Sequence, residues 1–435
     1  MEADLPVSST LRVATLLRVF LPFALGYFLS YLYRVVNAVM APDLVAEIGL
    51  DAAQLGLLTS AYFLTFGIFQ LPLGVLLDRF GPRRTEAVLL LFGALGALVF
   101  ALADSAGGLT LGRALIGLGV SACLMGAFKA FVIWFPTERL PLVNNLQMAA
   151  GGLGALAGTA PAELALKITD WRGVFVVLAI LTALVALAIF LVVPERRENK
   201  TDARMVEQFG RVLEIFSSPV FWSVAPWTVA VQATFLSVQS LWVGPWLRDV
   251  AGLERATIAT YLALVAGAMI AGWVIIGVVT DRVSRFGIRP ISIAAIGMSA
   301  FMLLLLPFVF EWTSAALPMC ILFGFFGTAG ILPYAVLSQS FAPELAGRVY
   351  TGLNLLVFLG AFAAQWGIGA LIDLWPRTVS GGYAPVGYRV ALLVMFALQA
   401  AGMTWFLLAG RWMRKPIVYS QLAPPQRPPY DPPLA

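Results

Sequence analysis

At 435 residues, 60% hydrophobic and 12% charged, the chain is too apolar for a water-soluble globular protein, whose charged fraction is roughly twice as high. The same figures exclude a disordered chain, a collagen, a coiled coil and a disulfide scaffold. The apolar runs are long and continuous rather than alternating with period two, which excludes an outer-membrane barrel.

Missing residue types narrow the function. No histidine is present, so His-based zinc sites, triads and proton relays are ruled out. None of the four lysines (Lys129, Lys167, Lys200, Lys415) follows a glycine, so no phosphate-cradling G-K-[ST] loop exists. Cys123 and Cys320 lie in apolar runs and read as buried thiols. Nothing points to a cofactor, a metal or an enzyme.

In chain order, apolar segments are predicted at about 18–41, 55–77, 86–103, 109–134, 142–164 and 172–193. They resume at about 219–243, 257–279, 289–309, 315–337, 350–371 and 388–410. Each is long enough to cross a bilayer as a helix, giving an all-α integral membrane protein of twelve spans. The expected organisation is an N-tail (1–17), a six-helix bundle (18–193), a charged connector (194–218), a second six-helix bundle (219–410) and a Pro-rich disordered tail (411–435). No cleavable signal is expected, because the first segment is too long and carries Arg34.

Nineteen of the 28 Lys and Arg fall in the loops and tails that would share a side with both termini, six on the other side and three (Arg34, Arg113, Lys129) inside spans. The positive-inside bias therefore places both termini in the cytoplasm, across a plasma or inner membrane. It accounts for the net charge of +5 without nucleic acid.

The two halves repeat. A shift of 203 residues lays Gly74, Asp78 and Arg79 on Gly277, Asp281 and Arg282, Pro42 on Pro245, and Gly49-Leu50-Asp51 on Gly252-Leu253-Glu254. A shift of 206 lays Phe135 and Glu138 on Phe341 and Glu344. Two units repeated in one orientation are the architecture of a rocking carrier.

Gly74-Val-Leu-Leu-Asp78-Arg79-Phe-Gly-Pro-Arg83-Arg84 resembles the loop between spans two and three of the major facilitator superfamily. Gly277 to Arg285 is a degraded second copy, and Leu109-x3-Arg113-x3-Gly117-x-Gly119 is similar to a span-four pattern of that family, with Ile116 where glutamine is common. The resemblance implies a secondary transporter working by alternating access. Gly74 would permit close helix approach, and the resemblance implies that Asp78, Arg79, Arg83, Arg84, Arg113, Asp281 and Arg282 serve gating through ion networks.

Charges inside a bilayer cost ~2.5–3.5 kcal/mol each and require a use. Arg34 is expected about seven residues, ~10 Å, from the outer end of span one. Tyr27, Ser30, Tyr31, Asn37 and Ala38 share its face at helical spacing, a polar stripe that should line a central cavity. No Asp or Glu is expected near mid-span; Glu86 and Glu163 read as span-end residues, so Arg34 and Lys129 have no carboxylate partner in view. Unpaired bases favour an anionic ligand. Tyr31-x2-Arg34-x7-Pro42 is also similar to span one of the organophosphate exchangers and anion:cation symporters, which implies that Arg34 binds a phosphate or carboxylate and Lys129 assists. The symmetry mate of Arg34 is Ser237, so a singly charged anion is expected over a phosphate ester.

The remaining expected lining comprises Thr228, Gln232, Phe235, Gln239 and Trp242 of span seven, Tyr62, Phe66 and Gln70 of span two, Tyr334 of span ten, and Asn354 and Gln365 of span eleven. The expected partners are a small anionic solute, the lipid bilayer and a co-transported proton or cation, with Glu163 the candidate proton site, and the expected unit is a monomer. The alternative is an efflux pump or carrier for a bulky neutral, drug-like or lipid-like solute.

Overall fold

The computed structural model describes residues 13–195, 213–379 and 381–409. The expected C-terminal tail, most of the connector and residues 1–12 of the expected N-tail lie outside these residues, while 13–17 of that tail are helical and belong to α1. Among the described residues nine helices are long and apolar enough to cross a membrane: α1 (Val13–Ile48), α2 (Ala52–Leu102), α7 (Trp171–Val192), α8 (Pro219–Asp249), α9 (Arg255–Ser284), α10 (Pro290–Val309), α11 (Thr313–Gln339), α12 (Leu345–Ile372) and α13 (Pro385–Ala409). The shorter α3 (Ala106–Gly119), α4 (Met125–Trp134), α5 (Leu140–Ala157) and α6 (Ala160–Ala165) complete the set.

The nine differ from the twelve predicted spans for two physical reasons. Predicted spans two and three are one helical run that doubles back at Gly81, whose φ of 78° and ψ of 163° break the helix. The second arm thereby ends beside the end of α1: Arg172 contacts Glu47 of α1, the Ala101 and Ala103 carbonyls and Asp104 together. Spans four and five are each interrupted, at 120–124 between α3 and α4, and at 158–159 between α5 and α6.

The helix ends follow local chemistry. Gly49 closes α1 in the left-handed region, where a side chain is strained. Asp51 and Gln54 then form a reciprocal capping box at the start of α2. The predicted repeat is visible in the backbone: Gly252, at the offset of 203, also has positive φ, and Gly287 matches Gly81 at 206.

A continuous buried core runs through both halves of the chain. Outward faces are aliphatic, as with Leu91, Leu95 and Leu98 on α2 and Leu181, Leu184 and Leu187 on α7, the pattern of a lipid-facing surface. The halves pack on each other through α1 with α8, α2 with α12, and α5 and α6 with α9.

Polar contacts between halves gather at the end of the molecule where α1 stops and α2 starts, here called the latch end. Arg255 donates to both Asp43 carboxylate oxygens at 2.8 and 2.6 Å and to Glu163 at 2.7 Å. Asp373 accepts from the Ala52 and Ala53 amides, covering donors that the first turn of a helix leaves free. Arg377 donates to the Leu50 carbonyl, and Gln365 to Thr59. At the opposite, loop end, the Asp78 loop binds within its own half: Lys129 reaches Asp78 at 2.6 Å, Arg83 donates to the Phe190 carbonyl, and Arg83 and Arg84 meet Glu195.

Candidate functional site

Beneath the latch, a cleft partly open to solvent lies between the two halves. Its first-half wall comes from Tyr27, Tyr31 and Arg34 of α1 and Phe66 and Gln70 of α2. The second half contributes Gln232 and Phe235 of α8, Trp273 of α9, Tyr334 of α11, and Tyr350 and Asn354 of α12. Both stretches where the helical backbone is interrupted near the cleft, Ser121 and Leu124 between α3 and α4 and the tight turn Thr328–Ile331 in α11, line it. Irregular backbone at membrane depth is tolerated where it borders such a cavity. Gln70 satisfies the first of these by donating to the Ser121 carbonyl at 3.1 Å.

Arg34 is the one charged side chain among the lining residues. Because α1 runs on to Ile48, Arg34 stands fourteen residues from the helix end, about 21 Å along the axis, deeper than the sequence suggested. It is 5% exposed. Its guanidinium lies 4.4 Å from the Tyr31 ring centroid and 5.5 to 5.9 Å from those of Tyr62, Phe66 and Phe358. Among the described residues it makes no ion pair, and its Nε has no hydrogen-bond partner. Aromatic faces supply cation–π attraction, which holds the group in place without neutralising it. Around it, Tyr31 meets Tyr27 and Trp273 edge to face, Tyr334 packs on Tyr350, and the Tyr334 hydroxyl donates to Asn354 at 3.4 Å.

Of the residues expected to bind solute, Arg34, Tyr31, Gln232, Tyr334 and Asn354 come together in this cleft. Six others do not line it. Lys129, expected to be without a carboxylate, pairs with Asp78 and belongs to the loop end. Asn37 is wholly buried, its amide without a partner. Tyr62 turns its hydroxyl to the Ser30 carbonyl at 3.1 Å. Gln239 donates to the Met269 sulfur, Trp242 to the Gln365 carbonyl, and the Gln365 side chain joins Ser240 to Thr59. The cause in α8 is a wide π turn over Val238–Trp242. It breaks the periodicity that had aligned Gln239 and Trp242 with Gln232, a register shift that π turns commonly produce.

The gating set divides similarly. Arg79 and Arg282 are exposed, Asp281 pairs with Arg285 one turn on, and Gly74 is half-buried. Arg113 lies away from the loop; fully buried, it donates to the Tyr33 carbonyl at 2.8 Å and braces α3 against α1. Glu163, expected as the candidate proton site, is held by Arg255. Trp273, Tyr350 and Ser121 were missed; as single residues in apolar runs they carry no periodic signal. Glu86, expected near a span end, is completely buried.

Outside the spans, burial raises the Tyr383 phenol above its ordinary value.

Comparison with known proteins gives the arrangement a context. Residues 23–365 match the description of the Major Facilitator Superfamily. A probable sulfoacetate transporter of Cupriavidus necator is 26% identical over 399 residues, covering 81% of this chain and 91% of that protein. A probable L-galactonate transporter of Escherichia coli is 23% identical over 407 residues, covering 88% of this chain and 86% of that protein. Among solved structures, a bacterial homologue of the human lysosomal transporter Spinster superposes with a TM-score of 0.74 at 18% identity, over 92% of this chain and 98% of that one; this likeness concerns the fold. With the family matched over most of its length and its helices arranged in the same fold, the chain belongs to the Major Facilitator Superfamily and is a secondary transporter, not an enzyme.

Proposed function

We propose that this transporter carries a small organic anion, with Arg34 as the group that binds its acid. The observation that carries the reading is a buried guanidinium facing the cleft with aromatic rings around it and no carboxylate beside it. A charge kept in such a place is costly until an opposite charge arrives, and a guanidinium matches a carboxylate or sulfonate bidentately. The two relatives above are named for sulfoacetate and L-galactonate, solutes that each bear a carboxylate, which supports the same class here. Gln232, Asn354 and Tyr334 would read hydroxyl or carbonyl groups on the rest of the solute, and Tyr31 and Trp273 would cover its apolar faces.

Movement follows from the latch. Segments 18–193 and 219–410 act as two rocking units of six spans each, with both termini cytoplasmic in the inner membrane. In the conformation described, the latch end is fastened by Arg255, Asp373 and Gln365, which is the inward-facing state if the loop end is cytoplasmic. Release of these contacts, together with closure over the Asp78 loop, would expose the cleft to the other side. The test is competition binding of galactonate and its uncharged lactone to purified protein. The anion should bind, the lactone should bind far more weakly, and equal binding would contradict the proposal.

A further inference from the structure

Glu86 has no part in the scheme so far. It sits in the second arm of α2, five residues past the Gly81 turn, fully buried, with neither carboxyl oxygen hydrogen-bonded. Two neighbouring helices give way to it. A Cβ on Gly26 of α1 would come 2.6 Å from Glu86 Oε1, and one on Gly126 of α4 would come 2.5 Å from Oε2. Glycine at both positions makes a socket the shape of a carboxyl group, which a merely trapped side chain would not have.

The groups around the socket leave the carboxyl without a counter-charge. Between α3 and α4, the Cys123 thiol faces it. On α4, Lys129 is one turn beyond Gly126 and is committed to Asp78 at 2.6 Å. On α1, the nearest titratable group is Tyr27, whose hydroxyl donates to the Met148 sulfur. On α5, the Gln147 amide donates to the Phe23 and Cys123 carbonyls. An ionised carboxylate in this socket would be unsolvated and unpaired, whereas a neutral acid fits. The socket also adjoins the cleft: Gly26 precedes Tyr27 and Gly126 follows Met125, and both Tyr27 and Met125 line it. Two turns along the same helix α1 stands Arg34.

We propose that Glu86 is a proton-binding site that couples proton movement to transport, loaded in the conformation described and emptied in the opposite one. A hydronium ion in the cleft would lose one O–H bond, leaving water, as the carboxylate gains one at Oε1 or Oε2, and the reverse transfer to water would follow when α1 and α4 shift and hydrate the socket. This rests on the carrier reading above and gives it an energy source.

The first measurement needs no substrate. Infrared spectra of the purified wild type at neutral pH should show the carbonyl stretch of a buried protonated carboxylic acid that Glu86→Gln, isosteric with the neutral acid, lacks. A wild type without that band, or a band that persists in E86Q, overturns the proposal. The second uses L-galactonate and sulfoacetate in proteoliposomes loaded with a pH dye. Wild type should move protons out as the solute moves in, raising the interior pH, while E86Q should exchange the same probe across the membrane without moving protons. Equal proton movement in both overturns the proposal. Failure of the anion reading would look different: neither probe would be transported by the wild type or bound by it, with the E86Q-sensitive band still present.

Discussion

Lys129 places its ammonium 2.6 Å from Asp78 Oδ1, joining α4 to the loop that reverses α2. Both side chains are partly exposed, at 24% and 33%, so the pair is worth about 1 kcal/mol or less in stability. Its use lies in fixing the loop on the helix that borders the cleft. Asp78→Asn and Lys129→Met should each leave solute affinity within about twofold while changing the rate of conformational exchange. In a double-mutant cycle on that rate, the pair should couple by about 0.5–1 kcal/mol. Single-molecule fluorescence between labels on the two halves would report it, and full additivity would show that the contact has no role in gating.

The Arg255 fork on Asp43 and Glu163 links the halves at the latch end. Arg255→Ala removes a set of charge-assisted bonds that, between partly exposed groups, is together worth about 1–3 kcal/mol. The population of latch-open molecules should therefore rise, by roughly 5–150-fold in the equilibrium constant. Pulsed electron-spin distances between labels flanking the latch would widen. Because the pair is partly exposed, the effect of the native latch should shrink at high salt.

Asp373 accepts from the Ala52 and Ala53 amides across the same interface. Asp373→Ala leaves both donors uncovered and should cost about 1 kcal/mol of latch stability. Asp373→Asn keeps an acceptor and should lose less. Hydrogen exchange at the start of α2 would rank the three proteins, and identical protection in all of them would remove Asp373 from the latch.

Arg113, by contrast, is an internal brace: its bond to the Tyr33 carbonyl is fully buried. Arg113→Met should lower thermal stability before it alters solute selectivity, because it removes a buried charge-assisted hydrogen bond worth about 1.5–3 kcal/mol. Thermal unfolding in detergent would read the loss.

Much of this molecule was legible in its sequence because membranes impose strong rules. Continuous apolar runs mark helices, and the 203-residue repeat aligned Gly49 with Gly252, which the structure shows both to have positive φ. The face shared by Tyr27, Tyr31 and Arg34 was readable because α1 is regular there. Reading failed where the helix is irregular or the partner is distant in sequence. The wide turn at Val238–Trp242 rotated Gln239 and Trp242 out of the predicted stripe. The Lys129 partner, Asp78, and the Glu163 partner, Arg255, are 51 and 92 residues away, where spacing on one helix carries no information. Glu86 escaped because burial in a socket of two remote glycines leaves no trace in local hydropathy.

Solute charge recognition by Arg34 is the claim on which the substrate class stands. Its direct test is calorimetric titration of wild type, Arg34→Lys and Arg34→Ala with L-galactonate and sulfoacetate. Loss of a buried charge partner should cost about 2–5 kcal/mol, so Arg34→Ala should weaken binding by roughly 30-fold or more. Lysine, which keeps the charge but not the fork, should recover part of it. Unchanged affinity in Arg34→Ala would contradict the anion-binding assignment.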